Sequence, residues 1–97
     1  MESTIDINKG ESLELALEYS ELANLVGVSI SIKEARPLAL MGATITKTDE
    51  LNSIATLFMS KEISSKLNIG ENNWFRIELV FPNGQNSVSP QIWINVI

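Results

Sequence analysis

Trp74 and Trp93 are the side chains of this sequence with the most to offer a partner. An indole presents a large, rigid surface and is enriched at interface hot spots, and a pair of indoles can also hold a sugar ring. The same pair serves equally as a cross-strand packing contact covered by residues 61–72. Carboxylates form the next candidates: Glu14 and Glu18 share one face of an alternating run, and Asp49 and Glu50 sit together in a turn signal. Glycosidase chemistry needs two carboxyls at a fixed separation in a cleft, one of them with a raised pKa. Nothing in the pattern builds a cleft around either pair, so solvated surface acids are the expectation. Lys47-Thr48-Asp49-Glu50 lacks the dense Asp/Asn/Gly spacing of a calcium loop, and no Gly-rich phosphate loop is present.

Histidine and cysteine are both absent from the 97 residues. That removes disulfides, thiolate and imidazole metal ligands, cysteine nucleophiles and every triad built on an imidazole base. The expectation is a protein that is not an enzyme and needs no cofactor or metal. Twelve acidic against seven basic residues give a net charge of −5. With Arg36 and Arg76 the only arginines, neither nucleic acid nor an anionic membrane is an expected partner. All of the net charge lies in residues 1–25, where Glu2, Asp6, Glu11, Glu14, Glu18 and Glu21 oppose Lys9 alone. Such a run is either an acidic face for a basic partner or an edge kept soluble by carboxylates. The first residues carry no secretory pattern, and no apolar stretch approaches the ~18 residues of a membrane span, so a soluble chain made in a cytoplasm is expected. Length and a hydrophobic content of 44% fit one domain over 1–97.

The elements that must position these residues read as strands. Leu13, Leu15, Leu17 and Tyr19 alternate with Ser12, Glu14 and Glu18, and Val28, Ile30 and Ile32 alternate with Ser29, Ser31 and Lys33. This period of two predicts half-buried strands, although Glu and Leu favour helices intrinsically. Residues 20–27 read as a connection with a short helical turn closed by Gly27, and Pro37 stops pairing after the second strand. Residues 43–47 predict a short strand with a turn over 47–50 behind it, and 53–60 another strand. Ser60 can cap a helix over 60–67 that places Ile63 and Leu67 on one face, with Gly70 ending it. Two long strands follow, 73–81 and 87–97, joined by the Asn83-Gly84 hairpin signal.

Taking Asn83-Gly84 as a two-residue loop pairs Leu79 with Val88, Ile77 with Pro90, Phe75 with Ile92 and Trp74 with Trp93. Phe75, Ile77, Leu79, Val88 and Ile92 then point to the core, while Trp74, Arg76, Glu78, Gln91 and Trp93 share the outer face. Pro90 is placed to introduce a bulge. Six or seven strands with one short helix predict an all-β sandwich.

From Ile5 to Ile97 the layout resembles the small immunoglobulin-like domains of phage tails and baseplates, such as the N-terminal domain of baseplate upper proteins. The resemblance is carried by Ile7-Asn8-Lys9-Gly10-Glu11-Ser12-Leu13, Asn24-Leu25-Val26-Gly27-Val28-Ser29-Ile30, Ser60 to Leu67, Gly70 to Phe75, and Asn83-Gly84. It implies an antiparallel immunoglobulin-like sandwich that acts as a virion structural or adaptor protein, made in a bacterial host. The implied partners are other virion proteins or further copies of the chain. The interface candidates are Trp74, Trp93, Arg76, Gln91, Glu14 and Glu18. A small carbohydrate- or ligand-binding module using the two tryptophans, and a phage-encoded inhibitor of a host protein, are the alternatives.

Overall fold

A computed structural model describes residues 3–97, and these form eight strands in two sheets. The strands are β1 (Ser3–Ile7), β2 (Leu13–Glu18), β3 (Ser29–Arg36), β4 (Thr44–Asp49), β5 (Ile54–Met59), β6 (Gly70–Val80), β7 (Asn86–Val88) and β8 (Ile92–Val96). One sheet runs β1-β8-β6-β3, with β7 also paired to β6, and the other runs β2-β5-β4. Phe75, Ile77, Ile94 and Val96 of the first sheet share one apolar cluster with Leu57 and Met59 of the second. The layers are therefore sandwich-like, and a second, smaller cluster of Leu25, Val28, Ala55 and Leu79 joins the first through Ile30 and Ile45, which pack against both.

Alternation decides which residues enter that core. Leu13, Leu15 and Leu17 pack against it while Glu14, Ala16 and Glu18 stay exposed. Phe75, Ile77 and Leu79 are buried, as the period-two reading requires, and Ile30, Ile32 and Ile92 pack beside them. The alternation of β3 slips between Ile32 and Glu34, where the ladder to β6 is irregular; the slip turns Ala35 inward and keeps Arg36 outside.

Several expectations are corrected. The sheets are not wholly antiparallel: β1, which the alternation reading passed over, pairs parallel to β8, from Ser3 opposite Ile92 to Ile7 opposite Val96. The hairpin loop is not the two-residue Asn83-Gly84. Phe81 N–H donates to Gln85 O at 2.8 Å and Gly84 N–H to Phe81 O at 2.9 Å, so Pro82-Asn83-Gly84 form the loop with Gly84 at φ 87. Leu79 consequently faces Ser87, Glu78 faces Val88, and Val88 is exposed rather than inward. The extra residue is absorbed at Ser89, whose hydroxyl accepts from Ile77 N–H at 2.9 Å while its own N–H donates to Ile77 O at 2.8 Å. Beyond this break the ladder resumes in the expected register, with Phe75 opposite Ile92 and Trp74 opposite Trp93.

The helix is also shorter than expected. It covers α1 (Lys61–Ser64), with Ser60 Oγ accepting from Ile63 N–H at 3.3 Å. It then tightens, Lys66 N–H donating to Ile63 O and Leu67 N–H to Ser64 O. Leu67 still reaches the core, whereas Gly70 opens β6 instead of closing the helix. Residues 20–27 form turns without a helix. At Gly27, with φ at 75, a Cβ would stand 2.9 Å from Pro82 Cγ, so the close approach of two loops requires glycine. β4 runs on to Asp49, and the turn behind it is a 3-10 turn over Glu50–Asn52. A second 3-10 turn, Leu38–Gly42, follows β3 and buries Leu40.

Candidate functional site

The outer face of the first sheet gathers four side chains into one row. Thr4 on β1 is opposite Trp93 on β8, Trp93 is opposite Trp74 on β6, and Trp74 is opposite Arg36 on β3. Both indoles are half-buried, and Thr4 and Arg36 are exposed. The row exists because residues directly opposite on neighbouring strands point to the same face. It does so only because the bulge in β3 restores the outward direction of Arg36.

Two hollows flank Trp93. A cleft of about 290 Å³ is lined by Arg36, Asn68, Asn72, Trp74 and Trp93. A neighbouring one of about 330 Å³ is lined by Thr4, Glu71, Asn72 and Trp93. Trp93 and Asn72 border both, so the Trp93 indole is a ridge between them. Its N–H is shielded from solvent and meets no acceptor within the described residues, which is rare for a buried donor.

The segment carrying Asn68 is held from below. Asn73 is wholly buried. Its side-chain carbonyl accepts from Asn68 N–H at 3.0 Å, and its amide donates to Asn68 O at 2.8 Å and to Gly70 O and Ile94 O at 3.3 Å. A buried amide with every contact satisfied fixes its surroundings, so Asn73 ties the turn that carries Asn68 to β8. Residues 68–72 therefore wall the tryptophan pair along one side and leave it half open. The expected cover by residues 61–72 is partial.

The remaining candidates fall in different places. Arg76 stands beside Trp74, its guanidinium carbon 6.0 Å from the ring centroid and its Nε 3.3 Å from Glu34 Oε1, an ion pair without hydrogen-bond alignment. Gln91 lies in the unpaired break before β8 and has no strand partner on β6. Glu14 and Glu18 are exposed on the other sheet, opposite Phe58 and Ile54, so the structure does not bring them to the tryptophans. Sequence reasoning missed Arg36, Asn68, Asn72 and Asn73 as site residues. The Asn-Asn-Trp run at the start of β6 was the available signal, because a polar residue at an inward strand position must have buried partners.

A second region opens between the sheets, where a cavity of about 240 Å³ is lined by Tyr19, Glu21, Ile77, Leu79 and residues 87–90. Burial there raises the pKa of the Tyr19 hydroxyl above 10.0, and the nearby Glu21 carboxylate adds to the rise. Among the described residues no three His, Cys, Asp or Glu side chains cluster to hold a metal ion, and no helix is long and apolar enough to cross a membrane.

A scan against protein-family models and a search of curated proteins returned no match to this chain.

Proposed function

We propose that this chain is a non-enzymatic adaptor domain with an immunoglobulin-like arrangement of its sheets, holding a partner against the outer face of the β1-β8-β6-β3 sheet. The observation that carries the reading is the row Thr4, Trp93, Trp74, Arg36, in which two large aromatics remain half-exposed on an open sheet. Trp and Arg are the residue types that dominate binding hot spots. The phage tail or baseplate setting comes from the sequence resemblance alone, and it makes other virion proteins or further copies of the chain the partners. Replacing Trp74 and Trp93 by serine tests the reading, with assembly followed by light scattering and folding by thermal melting. Loss of assembly with a folded chain supports it; a folded chain that assembles unchanged contradicts it.

The two hollows beside Trp93 favour a second reading, a small-ligand module on the same face. Aromatic walls with a few convergent polar groups are the usual make-up of such sites. Here those groups are Arg36, Asn68 and Asn72.

A further inference from the structure

Arg36 differs from the other basic residues of this sheet. Lys33 lies 3.7 Å from Glu78 and Arg76 lies 3.3 Å from Glu34, but no carboxylate among the described residues lies within ion-pair distance of Arg36. Its guanidinium is a fork of five donors whose natural complement is a planar, two-oxygen anion. It borders a cleft whose other lining residues are two tryptophans and two asparagines. Each amide offers a donor and an acceptor side by side, the pattern needed by neighbouring hydroxyls on a ring. The indoles supply the apolar surface on which the ring's C–H groups rest.

We propose that this cleft binds an acidic sugar, a pyranose ring carrying a carboxylate, with the carboxylate on Arg36, the hydroxyls on Asn68 and Asn72, and the ring against Trp93 and Trp74. The inference rests on the small-ligand reading above and names its ligand class. The volume of about 290 Å³ suits a ligand of one ring, at the low end of small-molecule sites, which run from roughly 300 Å³ upward. The charge around it selects a single anionic group. The chain carries −5 overall and so repels polyanions, and Glu71 lines the hollow on the far side of Trp93. That second hollow, with Thr4, Asn72 and Glu71, suits a neutral neighbouring ring, because a carboxylate there accepts from hydroxyls and excludes another anion. Preorganisation comes from Asn73, which holds the backbone of Asn68 through two hydrogen bonds at 3.0 and 2.8 Å. The ligand therefore does not have to order that turn itself.

The probes are methyl glucuronide, methyl glucoside and acetate, titrated separately into the isotope-labelled chain while the side-chain amide and indole N–H signals are followed by NMR. Methyl glucuronide is expected to give saturable shifts at Asn68, Asn72 and Trp93 with a Kd on the order of 1 mM, and methyl glucoside to bind about 10-fold more weakly. Arg36→Gln, at an exposed position and with an unchanged melting temperature, is expected to bring the glucuronide down to the glucoside's affinity. Equal binding of the two sugars at these residues overturns the acidic-sugar inference and leaves the small-ligand reading standing. Equal binding of acetate and glucuronide also overturns it, since the site then reads a carboxylate alone. No saturable shift with any probe overturns both.

Discussion

The two outer faces of this protein are built from the same element, an exposed sheet surface, and they solve different problems. On the β2-β5-β4 sheet the opposed rows are Glu14, Phe58, Thr44 and then Ala16, Thr56, Thr46, with Thr48 and Thr56 hydroxyls 3.1 Å apart. Short β-branched residues satisfy one another there, and edge strand β2 carries the carboxylates that discourage pairing with a foreign strand. On the β1-β8-β6-β3 sheet the rows carry indoles and guanidinium groups, and a buried asparagine holds a turn beside them. The contrast teaches where to look for function in an acidic chain. The carboxylates of Glu14 and Glu18 stand on the edge strand of one sheet, while the exposed cation Arg36 and the aromatics stand on the other.

Breaking the core that both faces share has the largest expected effect. Phe75 lies behind the tryptophan row and is 1% exposed, so Phe75→Ala is expected to cost about 3–5 kcal/mol in a urea titration, and Leu79→Ala about 2–5 kcal/mol. A loss below about 1 kcal/mol for either would place that side chain outside the core.

Asn73→Ala sharpens the comparison, because it acts on one face only. It removes two bonds to the backbone of Asn68 and a buried one to Ile94 O, and a buried group left without a partner costs about 1–3 kcal/mol. Hydrogen exchange is expected to speed up at residues 68–72 while β2, β4 and β5 keep their protection. Uniform acceleration across both sheets would deny Asn73 its local role.

On the threonine face, Glu14→Gln with Glu18→Gln is expected to change stability by no more than about 0.5 kcal/mol, measured by thermal melting, since both carboxylates are exposed and unpaired among the described residues. A larger loss would mean that these carboxylates hold structure.

The smallest effect is alkaline. The raised pKa of Tyr19 means that the folded chain holds the phenol proton more tightly than the unfolded chain does. Stability should be level below pH 10 on this account and fall as pH rises through the raised folded value. Tyr19→Phe should remove that fall, and Glu21→Gln should reduce it; denaturant melts between pH 8 and 11 read both.

Much of this was legible in the sequence where the chain speaks locally. The alternation at Leu13, Leu15, Leu17 and at Phe75, Ile77, Leu79 fixes which side faces inward, whereas the expected pairing of Trp74 with Trp93 holds only because the one-residue shift of the hairpin is undone between Ser89 and Ile92. The parallel partnership of β1 with β8 is a choice between residues some 90 positions apart, and no local pattern encodes it. The one-residue slip near Val88 is hidden because the Ser89 hydroxyl stands in for a ladder acceptor, which looks like any other serine in sequence. Leu25 and Leu40 are buried from turns, where periodicity has nothing to say. The site was half legible for the same reason. The tryptophans share a face by alternation along their strands, but Arg36 joins them through a bulge and Asn68 through the buried Asn73.

The central claim is that the tryptophan face is the working surface and the threonine face is not. Mapping amide shifts across the whole chain during the methyl glucuronide titration tests it most directly. The account expects the perturbed residues to be Arg36, Asn68, Asn72, Trp74 and Trp93, with Glu14, Thr46, Thr56 and Phe58 unmoved. Saturable shifts centred on the second group, or shifts spread equally over both faces, would contradict it.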